Sequence, residues 1–402
     1  MPQSNRSKTQ NRKIFQCILW AGMWFLLTSG VAAAQGRMVI KPYVKTSWGI
    51  ESNYYKSETN ERSVSYWSIS PGVNFGYTTA KSELMFGYSF SPIRYTDEDD
   101  APAGGIRSKD LDFVQHAGSL SARTKATDRI TLTLDDSFSR QRDPDDSDIF
   151  NNSTDKSLYW TNTVTPGFIY DFGNKFTFGT KYSYLILDYK DDINNEDSYQ
   201  HRGAFTLGYN FNSTTSANLD YQVWTRDYDK TTSDYTSHQI GVNVNKRYRV
   251  LGFEAGAGYH NREFDQSGLD DMDSFLWHLS MTASYPKTSF YVNLRRNLND
   301  QGAGEQYYQA LRLTAGANRV VLEKLNVGIS GFVQNSDYEN SSRDEDLWGI
   351  DGSIGYRLNR YVTLGLETGY EERDSNQAGN TYDNYKVLLS ASLNYDVGDL
   401  TR

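Results

Sequence analysis

The residue types that most often carry chemistry do not converge in this sequence. His116, His201, His238, His260 and His278 lack the short spacings that bring two or three imidazoles to one metal. There is no Gly-x-Ser-x-Gly nucleophile turn and no Gly-rich phosphate loop ending in Lys. A hydrolase would have to assemble Ser, His and Asp from distant segments. The run Asp143-Pro144-Asp145-Asp146-Ser147-Asp148 resembles a loose Ca²⁺ loop, but it lacks the Gly and the terminal Glu of a calcium-binding hand. A solvated acidic loop is the simpler reading. Neither enzymatic activity nor a cofactor or resident metal is expected.

Charge is ordered in another way. Lys45, Glu83, Lys181, Arg202, Asp220, Arg226, Glu254, Arg295, Arg312, Asp351, Arg357 and Glu367 each fall on the polar side of a segment that alternates with period two. In residues 203–211, Phe205, Leu207, Tyr209 and Phe211 point one way, and Ala204, Thr206, Gly208 and Asn210 the other. In residues 275–285 the apolar face is Phe275, Trp277, Leu279, Met281, Ala283 and Tyr285, with aromatics at both ends. Such segments are strands with one apolar face, and they recur from residue 39 to 397.

The connections alternate in length. Short ones include Thr79-Ala80-Lys81, Gly173-Asn174, Pro286-Lys287 and Asn359-Arg360. The longer ones are acidic and rich in Asn and Ser, such as 96–109, 142–156, 265–273 and 371–384. Short turns on one side and long polar loops on the other are the pattern of an outer-membrane barrel. A β-sandwich needs Greek-key crossovers, and a propeller a four-strand repeat. Only a two-strand repeat is found here. The count is about eighteen strands, with sixteen as the alternative. The fold class predicted is all-β: a transmembrane, antiparallel, up-and-down β-barrel.

Composition agrees. The 402 residues include 30 Tyr, 19 Phe, 8 Trp and 32 Gly but only 8 Pro and one Cys. A barrel hides its membrane character from hydropathy because only every second side chain meets lipid. Residues 1–34 read as a secretory leader. Arg6, Lys8, Arg12 and Lys13 precede an apolar stretch from Ile14 to Val31, and Ala32-Ala33-Ala34 suits cleavage before Gln35. An uncleaved anchor is the alternative. The barrel would then occupy 35–402. About five residues separate the cut from the first strand, too few for a plug domain. Without the leader's four basic residues, 37 basic side chains oppose 50 acidic ones, a net charge of −13. Nucleic acid is a poor partner for such a chain.

Lipid leaves no partner for an open sheet edge, so the sheet must close with its apolar face outward. The twelve charged positions would then line the interior. A barrel of this size is too wide for side chains alone to fill. Hydration with opposed charges is one reading of the interior, and cross-strand pairing in a closed interior the other. Narrowing would come from the loops 96–109 or 142–156. Asp97, Glu98, Asp99, Asp100, Asp143, Asp145, Asp146 and Asp148 would ring one mouth and favour cations weakly.

The C-terminal half resembles the outer-membrane β-barrel porin-2 family of Gram-negative bacteria. The residues that carry this are Ile354-Gly355-Tyr356-Arg357-Leu358-Asn359-Arg360-Tyr361, then Gly369-Tyr370-Glu371-Glu372-Arg373-Asp374-Ser375-Asn376, then the segment from Tyr385 to Tyr395. The same cadence recurs upstream. The resemblance implies a cell outer-membrane location and a link to exopolysaccharide export. Ser390, where Gly is usual, and the run on to Arg402 depart from the usual barrel ending. The leading expectation is a porin-like conduit, with exopolysaccharide export as the use that the resemblance implies. The alternatives are a general small-solute porin and a non-conducting structural or adhesive barrel with acidic loops that bind Ca²⁺ or lipopolysaccharide. Expected partners are outer-membrane lipids and lipopolysaccharide, the barrel-assembly machinery and a periplasmic polysaccharide-export protein.

Overall fold

A computed structural model describes residues 36–99, 107–142, 154, 156–173, 175–190, 196–300, 307–339 and 341–397. The leader lies outside the described residues. Eighteen strands follow one another: β1 (Arg37–Glu51), β2 (Val64–Thr78), β3 (Ser82–Asp97), β4 (Phe113–Lys125), β5 (Ile130–Gln141), β6 (Tyr159–Asp171), β7 (Phe176–Tyr189), β8 (Ser198–Asn212), β9 (Thr215–Tyr228), β10 (Tyr235–Tyr248), β11 (Leu251–Phe264), β12 (Met272–Ser284), β13 (Thr288–Asp300), β14 (Tyr307–Val321), β15 (Leu325–Tyr338), β16 (Asp344–Arg357), β17 (Val362–Ser375) and β18 (Tyr382–Asn394). One turn of 3₁₀ helix, Ser108–Leu111, precedes β4.

Each strand pairs antiparallel with the next, and β18 returns to β1 through Tyr43–Asn394 to Glu51–Lys386. The sheet therefore has no free edge, which is what a lipid surround requires. Both ends of the described chain lie on the short-turn side. The turn between β10 and β11 is two residues, Arg249 and Val250, with Arg249 at φ 50°. Gly173, at φ +80°, serves the β6–β7 turn, where a Cβ would be strained.

The distribution of apolar side chains is inverted relative to a water-soluble protein. Ile240, Val242 and Val244 of β10, Phe275 and Leu279 of β12, and Leu389 and Leu393 of β18 are all exposed, on one face of the sheet. In the 275–285 segment Phe275, Leu279, Met281 and Tyr285 are exposed as the alternation implies, while Ala283 is shielded by its neighbours. Exposed aromatics gather at the turn end, among them Phe172, Phe176, Phe211, Tyr248 and Tyr285, as an interfacial girdle does.

Buried apolar side chains form small clusters inside the long-loop end. The larger joins Trp224, Tyr228, Tyr235, Met272, Leu298 and Tyr307. Its origin lies in β13 and β14. The β12–β13 ladder stops at Trp277–Arg296, whereas β13 and β14 stay paired out to Asp300–Tyr307. Beyond Arg296 the described end of that hairpin leaves the wall, and Leu298, Asp300 and Tyr307 pack against the inner side of β9–β11.

Candidate transport pathway

Register decides which side chains share the interior. Lys45 pairs with Ser70 and Ser392, and a cavity of about 760 Å³ is lined by Lys45, Asp351 and Glu367 together with Tyr66, Gln115 and Asn318 from well-separated strands. Following that face from strand to strand, the pairs Glu83–Thr78, Lys181–Gly167, Arg202–Ser183, Asp220–Thr206 and Arg226–Gln200 place these residues on it. So do Glu254–Asn245, Arg295–His278, Arg312–Gln334, Asp351–Ser330 and Glu367–Ser353. Arg357 follows from its pairing with Thr363, at the turn end. All twelve positions singled out by alternation thus lie on one continuous face, opposite the exposed apolar side chains.

Within that face the charges are sorted by strand. In the half nearer the long loops, β8–β14 carry arginines. Arg202 lies 4.5 Å from the Trp224 ring, and Arg262 lies 4.1 Å from the Tyr235 ring. Arg295 and Arg312 are direct cross-strand partners, and Arg312 covers the Phe332 ring at 3.6 Å while donating to Gln334 Oε1 at 2.9 Å. Two adjacent guanidiniums repel, so stacking on an aromatic face and donation to an amide oxygen help hold this pair.

Acids and lysines stand together on the neighbouring arc, β16–β18. Asp351, Glu367 and Glu371 of β16–β17 stand beside Lys386, which lies 3.5 Å from Asp351, and Lys56, which lies 2.9 Å from Glu371. Toward the turns, Asp220 accepts from Thr206 Oγ1 and Asn243 Nδ2, each at 2.6 Å, and Glu254 meets His278 Nε2 at 3.2 Å.

Aromatic side chains narrow this path while lying along the wall. The Tyr66 ring covers Gly49, where an added Cβ would stand 2.5 Å from it. Glycine there lets the ring lie flat. Tyr95 packs against Tyr66 and Tyr54, with ring centres 6.0 and 5.3 Å away.

The loops close part of the mouth. Asn53 and Tyr54, between β1 and β2, are buried, and the Asn53 amide donates to Asn384 Oδ1 at 3.0 Å. Lys156 lies 5.1 Å from the Tyr54 ring, and Arg142 Nη1 donates to the Lys156 carbonyl at 2.9 Å. The described ends of the 142–156 loop therefore line the cavity. The β1–β2 loop does so as well, through Tyr54 and Lys56, while the end of the β13–β14 hairpin packs elsewhere inside the barrel; alternation gave no signal for either.

The acids assigned to the mouth are only partly within the described residues. Asp97 pairs with Arg62 at 2.6 Å and accepts the Ser108 amide, Glu98 accepts from Ser65 Oγ, and Asp99 accepts from the Ser63 amide. Asp100, Asp143, Asp145, Asp146 and Asp148 lie outside them. No group of three or more His, Cys, Asp or Glu among the described residues could hold a metal ion.

Solved structures share the architecture. OpdK of Pseudomonas aeruginosa, crystallised with vanillate, is 10% identical with a TM-score of 0.51, over 89% of this chain and 99% of that one. OccK9 (OpdG) of the same organism is 12% identical with a TM-score of 0.51, over 89% and 98%. OccAB2 of Acinetobacter baumannii is 10% identical with a TM-score of 0.50, over 90% and 98%. At such identities the likeness concerns the fold. No curated protein matches the sequence. A family model described as Putative beta-barrel porin 2 matches residues 30–395, and the chain belongs to that family.

Proposed function

We propose that the protein is a passive conduit across the outer membrane for hydrated, hydroxyl-rich solutes, with an exported polysaccharide strand as its cargo. The observation that carries the conduit reading is the continuous charged and polar face inside a closed barrel of eighteen strands, part of which, with Lys45, Asp351 and Glu367, lines a cavity of about 760 Å³. Structural charges that merely filled an interior would pair one to one. Here Arg202, Arg226, Arg262, Arg295 and Arg312 outnumber the nearby Asp300 on one arc, while Asp351 and Glu371 meet Lys386 and Lys56 on another; the excess of arginine on the first arc sets a field across water.

The polysaccharide reading rests on the family resemblance and on the cavity lining. Tyr54, Tyr66 and Tyr95 offer aromatic faces, and Gln115, Gln141 and Asn384 offer amides for sugar hydroxyls. The small-solute alternative draws on the arginine arc, which suits organic anions such as the vanillate named for OpdK. In either case the barrel moves solutes and performs no reaction. Its partners in this reading are outer-membrane lipid, the assembly machinery that receives β18, and a periplasmic export protein on the turn side.

Oligosaccharides added on one side of a planar bilayer distinguish the two readings. Interruptions of ionic current that lengthen with chain length support polysaccharide passage. Rapid swelling of liposomes in small solutes, without such interruptions, supports the small-solute porin.

A further inference from the structure

Three histidines that are scattered in sequence occupy equivalent places on the barrel's outer surface. His116, His201 and His238 are each the fourth residue of their strand, β4, β8 and β10, counted from the long-loop rim. Register puts them on the apolar face. His116 pairs with Phe90, His201 lies on the face that carries Phe205 and Leu207, and His238 lies on that of Ile240 and Val242.

Each meets a tyrosine hydroxyl from the preceding strand: Tyr88 at 2.9 Å, Tyr182 at 2.6 Å and Tyr221 at 2.9 Å, always at Nδ1. In every case the tyrosine's direct partner lies two residues beyond the histidine, at Gly118, Gly203 or Ile240, so one diagonal contact is built three times.

Two physical points give the motif a use. A strand of 14 residues, such as β10, tilted by about 40° stands roughly 35 Å tall, against an apolar band of about 25 Å. The fourth residue then lies about 8 Å below the rim, at the boundary between acyl chains and headgroups. Polar groups here need partners; when the tyrosine hydroxyl donates to Nδ1, the direction assigned to all three contacts, the imidazole carries its proton on Nε2. Each pair thus presents an N–H donor at headgroup depth, backed by a tyrosine ring that suits the acyl side. Arg140, the direct cross-strand partner of His116, adds a cation on the same face. Of the acids on this face, Asp188 and Asp227 are the penultimate residues of β7 and β9 and stand nearer the rim, and Asp136 of β5 lies four residues below Arg140, where it accepts from Asn162 Nδ2 at 2.7 Å.

We infer that the three Tyr–His pairs are docking points for the phosphorylated sugar headgroup of the outer-leaflet glycolipid, the Nε2–H groups donating to its phosphate oxygens. This binding is separate from conduction, so it stands or falls independently of the proposed cargo.

The test is lipid retention by the purified full-length barrel, read by native mass spectrometry with bisphosphorylated lipid A and with its dephosphorylated form as probes. The wild-type barrel should hold the phosphorylated form about ten-fold more tightly. Joint H116F, H201F and H238F substitution should abolish that preference, and joint Y88F, Y182F and Y221F substitution, which frees the tautomers, should reduce it. Equal retention of the two lipids by wild type overturns the inference even if neither variant folds. So does a phosphate preference that survives the histidine substitutions in a barrel of unchanged heat-modified gel mobility.

Discussion

Arg226 on β9 and Asp300 at the end of β13 meet at 3.4 Å inside the barrel although three strands lie between them. Tyr228 and Tyr235 donate to the same Asp300 oxygen at 2.5 and 3.2 Å. This junction holds the described end of the β13–β14 hairpin against the inner side of β9 and β10. Charge-assisted hydrogen bonds of this kind are worth about 1.5–3 kcal/mol each. Asp300→Ala should therefore release that end while leaving the barrel closed. Single-channel recordings should show a larger and noisier conductance, and hydrogen exchange should accelerate at Leu298 and Tyr308. Unchanged exchange would mean that the apolar cluster around Tyr307 holds it without the ion pair.

The two faces of β12 predict unequal tolerance of charge. Leu279 is 53% exposed on the apolar face, while Thr282 pairs with Gly252 on the inner one. Leu279→Arg should destabilise by roughly 2–4 kcal/mol near the membrane centre, and Thr282→Arg by much less. Denaturant titration of the two variants in liposomes checks the order.

Selectivity should respond to the arginine arc. Weak cation preference is the expectation from the net −13, softened by Lys181 and Arg295 on the inner face. Joint Lys181→Gln and Arg295→Gln should shift the reversal potential in a salt gradient further toward cations, and the shift should shrink as salt shortens the screening length. No shift would place the permeant path away from β7 and β13.

Acid should loosen one loop junction before the wall. Burial pushes the Glu196 carboxyl up, but hydrogen bonds from the Thr231 and Thr232 amides and hydroxyls outweigh it and hold its pKa below the ordinary value. A depressed carboxylate stabilises the fold above its unfolded pKa and ceases to do so as pH falls through its folded pKa. Amide protection at Thr231 and Thr232 should be full at neutral pH and disappear below the carboxylate range. In Glu196→Gln the protection should be weaker and independent of pH there.

Much of the wall was legible because a period-two pattern commits a whole strand at once. The expected count of about eighteen strands is the observed one, and it includes the β10–β11 pair, whose turn at Arg249 and Val250 has no Gly, Pro or Asn. Alternation fails where the chain leaves the wall. Asp300 has the parity of Phe290, Val292 and Leu294, yet it lies inside, because the described end of the β13–β14 hairpin leaves the wall beyond Arg296. Lys56 and Arg62 escaped notice for the same reason: they belong to a loop that folds inward, and no periodicity governs a loop. The histidines looked unrelated because their equivalence exists only across strands, in a register that spacing along the chain does not reveal.

The central claim is an open, water-filled path through the barrel, and single-channel conductance in a planar bilayer tests it most directly. Folded, heat-modifiable protein should give discrete, nearly ohmic steps that scale with bulk salt. Folded protein that inserts and gives no steps at any salt concentration would contradict the account and leave a closed structural barrel.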